Sequence, residues 1–265
     1  MGSNPSEDIP GVTTRHPSRQ NAIYLIATCA LLTWANPAFS LETASPNQLS
    51  AFEVEGGAAL NPAWQLSTLP ADKGIGPSHF EPSVVDGVAG LKVSTDASYG
   101  VLAHAWQGAT LPYLSWRWRV DQPLGAADLT TKAGDDAALK VCVMFDQPLA
   151  DIPFFQRTGL ALARSVTGQD LPSATLCYVW DQRYREGTQG ANPYTARVRY
   201  IVLGGPSAVL GQWSVQKRRV SEDFQRLFGQ ESPRTPPVTA VVLGADSDNT
   251  RGRSVAYVSA LRWLP

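Results

Sequence analysis

From Phe52 onward, short runs rich in Val, Leu, Tyr and Trp alternate with clusters of Gly, Pro, Asn and Asp, and no helical segment recurs between them. That rhythm belongs to a sandwich or barrel rather than to a βαβ fold. It predicts strands near Phe52–Glu55, Gly90–Thr95, Tyr99–Ala105, Tyr113–Val120, Ala137–Phe145, Ala174–Trp180, Ala196–Leu203, Gln212–Val220, Val238–Gly244 and Val255–Trp263. The expected fold is one all-β domain over residues 41–265, a two-sheet antiparallel β-sandwich of the jelly-roll type with short peripheral helices. One helix is expected over Phe154–Val166, where Phe155, Leu162, Ala163 and Val166 fall on one helical face. A second is expected in SEDFQRLFG, with Ser221 as its cap, Glu222 and Asp223 in its first turn and Gly229 at its end. Phe224, Leu227 and Phe228 would point inward.

Alternation within a run also assigns faces, because successive strand side chains point to opposite sides. In LSWRWRV, Leu114, Trp116, Trp118 and Val120 share one side, while Tyr113, Ser115, Arg117 and Arg119 share the other. The same division separates Leu139, Val141, Val143 and Phe145 from Lys140, Cys142 and Met144. It separates Leu176, Tyr178 and Trp180 from Thr175, Cys177 and Val179, and Val198, Tyr200 and Val202 from Arg197, Arg199 and Ile201. Trp116 and Trp118 read as core rather than as a sugar-stacking platform.

If these strands share one sheet and each turns its more apolar side inward, the opposite face collects Arg117, Arg119, Lys140, Arg197 and Arg199. A guanidinium offers a planar fork of donors to carboxylate, sulfate or sugar oxygens, so this face is a candidate cup for a hydroxylated or anionic ligand. Asp136 and Asp181 would orient the arginines or accept from hydroxyls. The polar loop from Tyr184 to Thr195, which carries Tyr194, would close one side. The competing reading is a charge network that only satisfies the sheet. Cys142 and Cys177 fall on the same face, which permits a cross-strand disulfide; two small buried thiols are the alternative.

Other constellations carry less chemistry. In GADSDNTRGRS, Asp246, Asp248 and Thr250 have the alternate spacing with which a calcium loop begins, but Gly252 comes one place late and Tyr257 stands where a bidentate Glu belongs. A structural calcium on Asp246 and Asp248 and a polar loop built on Asx turns both stay open, and no other cofactor is expected. His79 and His104 are the only histidines beyond residue 40, and neither neighbours a nucleophile elbow, which argues against a histidine-based hydrolase. Carboxylate pairs can be assembled from Asp135, Asp136, Asp181 and Glu186, as a chain of this length generally allows.

The formal net charge of −1 over 265 residues leaves no dominant basic face and excludes a nucleic acid as the whole-molecule partner. Residues 1–40 read apart from the domain. Arg15 and Arg19 precede the apolar run Ala22–Leu32, and Ala38-Phe39-Ser40 has the small-x-small form of a cleavage site. This predicts a secretory signal peptide cut near Ser40 and a periplasmic or secreted mature chain. The run falls short of the roughly 20 residues that a spanning helix needs, so no transmembrane segment is expected after cleavage. Cleavage removes Cys29 and leaves Cys142 and Cys177 in a compartment that permits their pairing.

The stretches LSWRWRV, GDDAALKVCVMFD, YVWD, NPYTARVRYIVL, RRVSEDFQRLFG and GADSDNTRGRSVAYVSALRW resemble an uncharacterised family of exported bacterial proteins, the domain of unknown function 3047. The resemblance runs through most of the chain beyond residue 40. It implies a pattern similar to carbohydrate-binding jelly rolls, which is an analogy of fold, and it supplies no catalytic residues. The leading expectation is a binding module for a glycan or another polyhydroxylated or anionic ligand. One alternative is a polysaccharide lyase or hydrolase on the same scaffold, in which an arginine neutralises a uronate and Tyr113 moves the proton. The other is a structural protein of envelope assembly. Oligomeric state is not legible.

Overall fold

The computed structural model describes residues 48–53, 59–109, 111–167 and 172–265, the side chains of 162–167 excepted. They belong to the compact unit Thr43–Pro265. The expected signal peptide with its cut near Ser40, the later part of the Phe52–Glu55 strand, and the Leu162, Ala163 and Val166 side chains lie outside the described residues.

The strands are β1 (Trp64–Ser67), β2 (Gly76–Pro77), β3 (His79–Val85), β4 (Val88–Asp96), β5 (Ser98–Ala105), β6 (Tyr113–Gln122), β7 (Ala137–Phe145), β8 (Ala174–Trp180), β9 (Gln189–Ala191), β10 (Val198–Gly204), β11 (Ser214–Arg219), β12 (Val238–Asp246) and β13 (Arg253–Leu264). Helix α1 (Phe154–Thr167) links β7 to β8, and α2 (Val220–Phe228) links β11 to β12. They form an eight-stranded sheet in the order β1-β5-β12-β7-β8-β10-β9, with β2 pairing on β5, and a five-stranded sheet in the order β11-β6-β13-β4-β3. Two sheets face one another, as the alternation predicts. Pairing is antiparallel except between β8 and β10 and between β2 and β5.

The core lies between the sheets. Leu114, Trp116, Trp118 and Val120 of β6 meet Leu139, Val141, Val143 and Phe145 of β7 and Leu176, Tyr178 and Trp180 of β8 in one buried cluster. Trp116 and Trp118 are core, each 1% exposed. Removing a tryptophan of roughly 200 Å² from water is worth on the order of 5 kcal/mol before the entropy of ordering it is set against that gain.

The eight-stranded sheet carries a second apolar cluster on its outer face, formed by Leu129, Ala137, Cys142, Cys177, Val179, Tyr200, Val202, Ala240 and Val242. Strands β7 and β8 are consequently covered on both sides. This cluster inverts the reading of β10. Arg199 pairs with Leu176 and Ile201 with Tyr178, so Arg199, Ile201 and Leu203 face the inter-sheet core while Val198, Tyr200 and Val202 face outward. The rule that the more apolar side points inward fails here because both sides meet an apolar surface.

The helices also differ from expectation at their ends. Phe155 is 87% exposed, and among the described side chains of α1 it is Leu160 that is buried. Ser221 does not cap α2. Arg219 occupies the cap position without a side-chain bond, and the helix is held instead by Phe224 and Phe228 in the core and by Asp223, which accepts from the Tyr178 hydroxyl at 3.0 Å and from Arg218. Gly229 ends the helix at φ −62°, with its N–H donating to Gln225 O. Among the described residues no helix is long and apolar enough to cross a membrane.

Candidate functional site: a groove on the outer face of the larger sheet

The arginine cup expected from alternation does not form, because β6 lies in the five-stranded sheet and β7, β8 and β10 lie in the other. Arg117 is exposed on the outer face of the smaller sheet. Arg119 lies beside it, bonded to Asp121 at 2.5 Å and to Asp86, over the Tyr257 ring. Tyr113 is on that face too, its hydroxyl accepting from Arg219 at 2.9 Å.

Arg197 and Arg199 are spent inside the fold. Arg197, 4% exposed, donates to Ser173 O at 2.8 Å, Gln147 Oε1 at 2.9 Å, Gln156 Oε1 at 2.8 Å and Glu231 Oε2 at 2.6 Å. Arg199 pairs with Glu231 and Leu227 O and lies 4.3 Å from the Phe228 ring centroid. Asp181 is buried and fixes the start of its loop by accepting from the N–H groups of Arg183 and Tyr184 at 2.7 and 2.6 Å. Burial raises its pKa despite those donors.

What the outer face of the larger sheet does hold is a groove of about 660 Å³. Its floor is Val101, Val242, Met144, Val198 and the Cys142–Cys177 pair, which stand opposite one another on β7 and β8 and are joined as a disulfide. The connector between β1 and β2 contributes Leu69, Lys73 and Ile75 to the rim, and three further loops supply the polar walls. The segment before β7 brings Asp135, the loop between β9 and β10 brings Asn192 and Tyr194, and the loop after β12 brings Asp248 and Asn249. From the floor rise Lys140, Thr175 and Asp246, with Tyr99 beside them on β5. Thus Lys140, Tyr194, Asp246 and Asp248 line the groove, with Asp136 directly behind them.

The loops are locked together by carboxylates. Asp136 is fully buried and accepts from Asn249 N at 3.2 Å, Asn249 Nδ2 at 3.1 Å, Thr250 N at 2.7 Å and Thr250 Oγ1 at 2.6 Å. Asn192 Nδ2 donates to Asp135 at 2.5 Å, and the Tyr194 hydroxyl lies 3.1 Å from both Lys132 O and Asn249 Oδ1. Asp246 accepts from Ala137 N and from Lys140 Nζ, both at 2.7 Å. Gly244, cross-strand from Lys140, leaves room for its stem, since a Cβ there would lie 3.2 Å from Lys140 Cε.

These groups perturb one another. Burial pushes the Asp246 carboxyl up to about 6 against the pull of Lys140, with Asp136 and Asp135 adding to the rise. Burial opposes the Lys140 charge, but Asp246 and Asp135 outweigh it and hold the ammonium above its ordinary range. Asp248 is raised by burial and by Asp136. Two oxygens are left over: Asp248 Oδ1 and the hydroxyl of Thr175, which is 4% exposed, are buried without a hydrogen-bond partner.

Asp136, Asp246 and Asp248 bring carboxylate oxygens within 4.8 Å of one another, as a cation site would. The donor set fits calcium poorly, because that ion takes six to eight oxygens. Asp136 is committed to four donors, and the Lys140 ammonium already supplies positive charge at Asp246.

Tyr99, Thr175, Asn192 and Asn249 were not singled out as site residues from the sequence, although Asn192 lies in the loop from Tyr184 to Thr195 expected to close one side. Asn249 sits inside the GADSDNTRGRS loop with the candidate carboxylates, so its signal was adjacency, and that of Thr175 was its alternation onto the face of Cys177.

The fold and the groove define a two-sheet β-sandwich with a polar-rimmed cleft on its larger sheet. The chain belongs to the family described as a protein of unknown function, DUF3047, whose model matches residues 62–262. No curated protein matches it. Among solved structures it is similar to the xyloglucanase domain of NopAA, a type three effector from Sinorhizobium fredii in complex with cellobiose, at 12% identity and a TM-score of 0.39, covering 76% of this chain and 93% of that one. It is also similar to a β-1,2-glucanase from Parabacteroides distasonis, at 12% identity and a TM-score of 0.34, covering 77% of this chain and 23% of that one.

Proposed function

We propose that this protein is an exported module that binds a glycan or another polyhydroxylated ligand in the groove of the eight-stranded sheet. The observation that carries the reading is the cleft itself. Its volume of about 660 Å³ lies within the range of ligand sites, and it joins an apolar floor to a few convergent polar groups. A sugar ring has the matching chemistry, with apolar C–H faces for Val101, Val198 and Val242 and hydroxyls for Asp248, Asn192, Asn249 and Lys140. The Cys142–Cys177 disulfide supports export, since such bonds persist in oxidising compartments. It adds to the signal-peptide reading of residues 1–40.

The test is a thermal-shift screen of residues 41–265 against neutral, acidic and amino-bearing oligosaccharides. A ligand held by the native state alone raises Tm progressively with concentration. Because the disulfide lies in the floor, a bound ligand should also slow its reduction by an added thiol. No shift with any saccharide, in a protein that melts cooperatively, would sink the reading and favour an envelope-assembly role.

A second reading, hydrolysis, is favoured by one observation: the buried Asp246 carboxyl, pushed up to about 6, stands beside Asp248 and Asp136, as an acid needs a neighbouring base. Release of reducing ends from a bound oligosaccharide, lost in Asp246→Asn with binding retained, would establish it. The lyase variant built on Tyr113 would sit elsewhere, because that residue lines a separate cleft of about 400 Å³ beside the smaller sheet with Lys217, Arg218 and Arg219.

A further inference from the structure

The groove's charge is uneven, and its unevenness bears on which saccharide fits. Lys140 and Asp246 neutralise one another at 2.7 Å. Asp135, Asp136 and Asp248 have no lysine or arginine paired with them among the described residues, and the cations around them besides Lys140 include Lys73 at the rim and Lys132, whose ammonium lies 5.2 Å from the Tyr194 ring centroid. The neighbouring hydroxyls report the same field. The Tyr99 pKa is raised by burial, with Lys140 pulling it down and Asp246, Asp248 and Asp135 pushing it up, and that of Tyr194 is raised by burial and then by Asp135, Asp248 and Asp136. A carboxylated sugar entering this end would meet like charge.

Two unpartnered atoms mark where a ligand's polar groups would sit. Asp248 Oδ1 is a buried acceptor with no donor, on a residue that lines a groove whose other carboxylates are bonded to protein. The Thr175 hydroxyl, on a residue 4% exposed, lies on the groove side of β8 next to Cys177 and has no partner either. A buried polar atom left without a partner costs free energy that a ligand group can recover. An acceptor carboxylate in a negative environment is best matched by a cationic donor, because charge-assisted hydrogen bonds are the stronger ones.

We infer that the groove selects an amino-bearing saccharide, one whose free ammonium docks on Asp248 while a hydroxyl meets Thr175, and that it disfavours uronates. This rests on the glycan reading above and deepens it. It also reverses the expectation of an anionic ligand in this groove, since Arg197 and Arg199 are spent inside the fold and Arg117 and Arg119 stand on the other sheet.

The experiment compares four probes on the full-length mature protein at a pH where the sugar amine is protonated: a glucosamine tetrasaccharide, its N-acetylated counterpart, an oligogalacturonate and a linear polyamine. The glucosamine oligomer should bind about tenfold or more tightly than the N-acetylated one, the size expected of a single charge-assisted contact. That gap should close in Asp248→Asn, whose folding is checked by its melt. The galacturonate should bind weakest, and added salt should weaken the glucosamine complex. Equal or tighter binding of the N-acetylated oligomer or the uronate by the wild-type protein would overturn the selectivity and leave the glycan groove standing. Polyamine binding as tight as that of the glucosamine oligomer would overturn it as well, because charge alone would then suffice. Failure of every saccharide to bind would remove the parent reading instead.

Discussion

Lys140 and Arg199 flank the same strand, β8, from its two sides, yet they point to opposite faces of the sheet and meet opposite fates. Arg199 and its neighbour Arg197 turn inward, where Glu231, three carbonyl or amide oxygens around Arg197, and the Phe228 ring leave their donors committed. Lys140 turns outward into a groove where a carboxylate oxygen and a hydroxyl remain without partners. Both clusters are charged and largely buried, so neither charge nor burial separates structure from function in this molecule. What each borders does differ: the inner network, its guanidinium donors committed although Gln147 Nε2 has no partner, ties α2 and its following turn to the sheet, while the outer one borders open volume.

The widest separation between the two regions should come from Glu231→Gln, which leaves two guanidiniums beside the core without their anion. Breaking a buried pair this way costs about 3–5 kcal/mol, so the urea midpoint should fall steeply while any surviving folded protein keeps its ligand. An unchanged midpoint would mean that the network carries no stability. Next in size is the disulfide. Replacing Cys142 and Cys177 together by serine opens a cross-link between residues 35 apart and should cost about 3 kcal/mol. The loss should appear as a lower Tm and, since the pair forms the groove floor, as weaker binding.

A smaller effect is a pH dependence that belongs to the groove. Asp246 holds its proton up to about 6 in the folded chain, whereas its ordinary value is 3.8. Between those values the folded state binds more protons than the unfolded state, so this group makes stability fall as pH rises through that window. The slope from a single group is at most about 1.4 kcal/mol per pH unit, and Asp246→Asn should flatten it. A profile identical in the variant and the wild type would refute the assignment. The smallest effect on stability is expected from Thr175→Val. It removes an unpartnered buried hydroxyl and should leave stability within about 1 kcal/mol or improve it, while weakening saccharide binding. A variant that binds as well as wild type would take Thr175 out of the site.

Strands with clear alternation were legible. The ends expected for β7 and β8, Ala137–Phe145 and Ala174–Trp180, match those observed, because turn residues bracket unbroken apolar runs. Other elements were missed for identifiable reasons. Strand β3 mixes His79, Glu81 and Pro82 into its run, although its turn carries the Asp-Gly signal of a tight hairpin, with Asp86 and Gly87 at φ 50° and 75°. Strand β1 has a single buried residue, Trp64, too little to register as alternation. Tertiary contacts overrode propensity at Ser221, since the cap position falls two residues earlier, at Arg219, and α2 is anchored by Phe224 and Asp223 rather than by a hydroxyl cap. Of the residues first suspected at the site, Asp136, Lys140, Tyr194, Asp246 and Asp248 share the groove or its wall, whereas Arg117, Arg119, Asp181, Arg197 and Arg199 stand elsewhere.

The amino-acid sequence by itself determined the β class, the core tryptophans, the strand faces wherever one side was plainly polar, and the common face of Cys142 and Cys177. Those properties follow from a two-residue period that local chemistry enforces. Only the tertiary structure decided that β6 and β7 belong to different sheets, that β10 turns its arginines inward, and that several loops distant in sequence enclose one groove. Sheet membership depends on pairing between remote segments. A strand with apolar side chains on both faces leaves its orientation to whichever surfaces close over it.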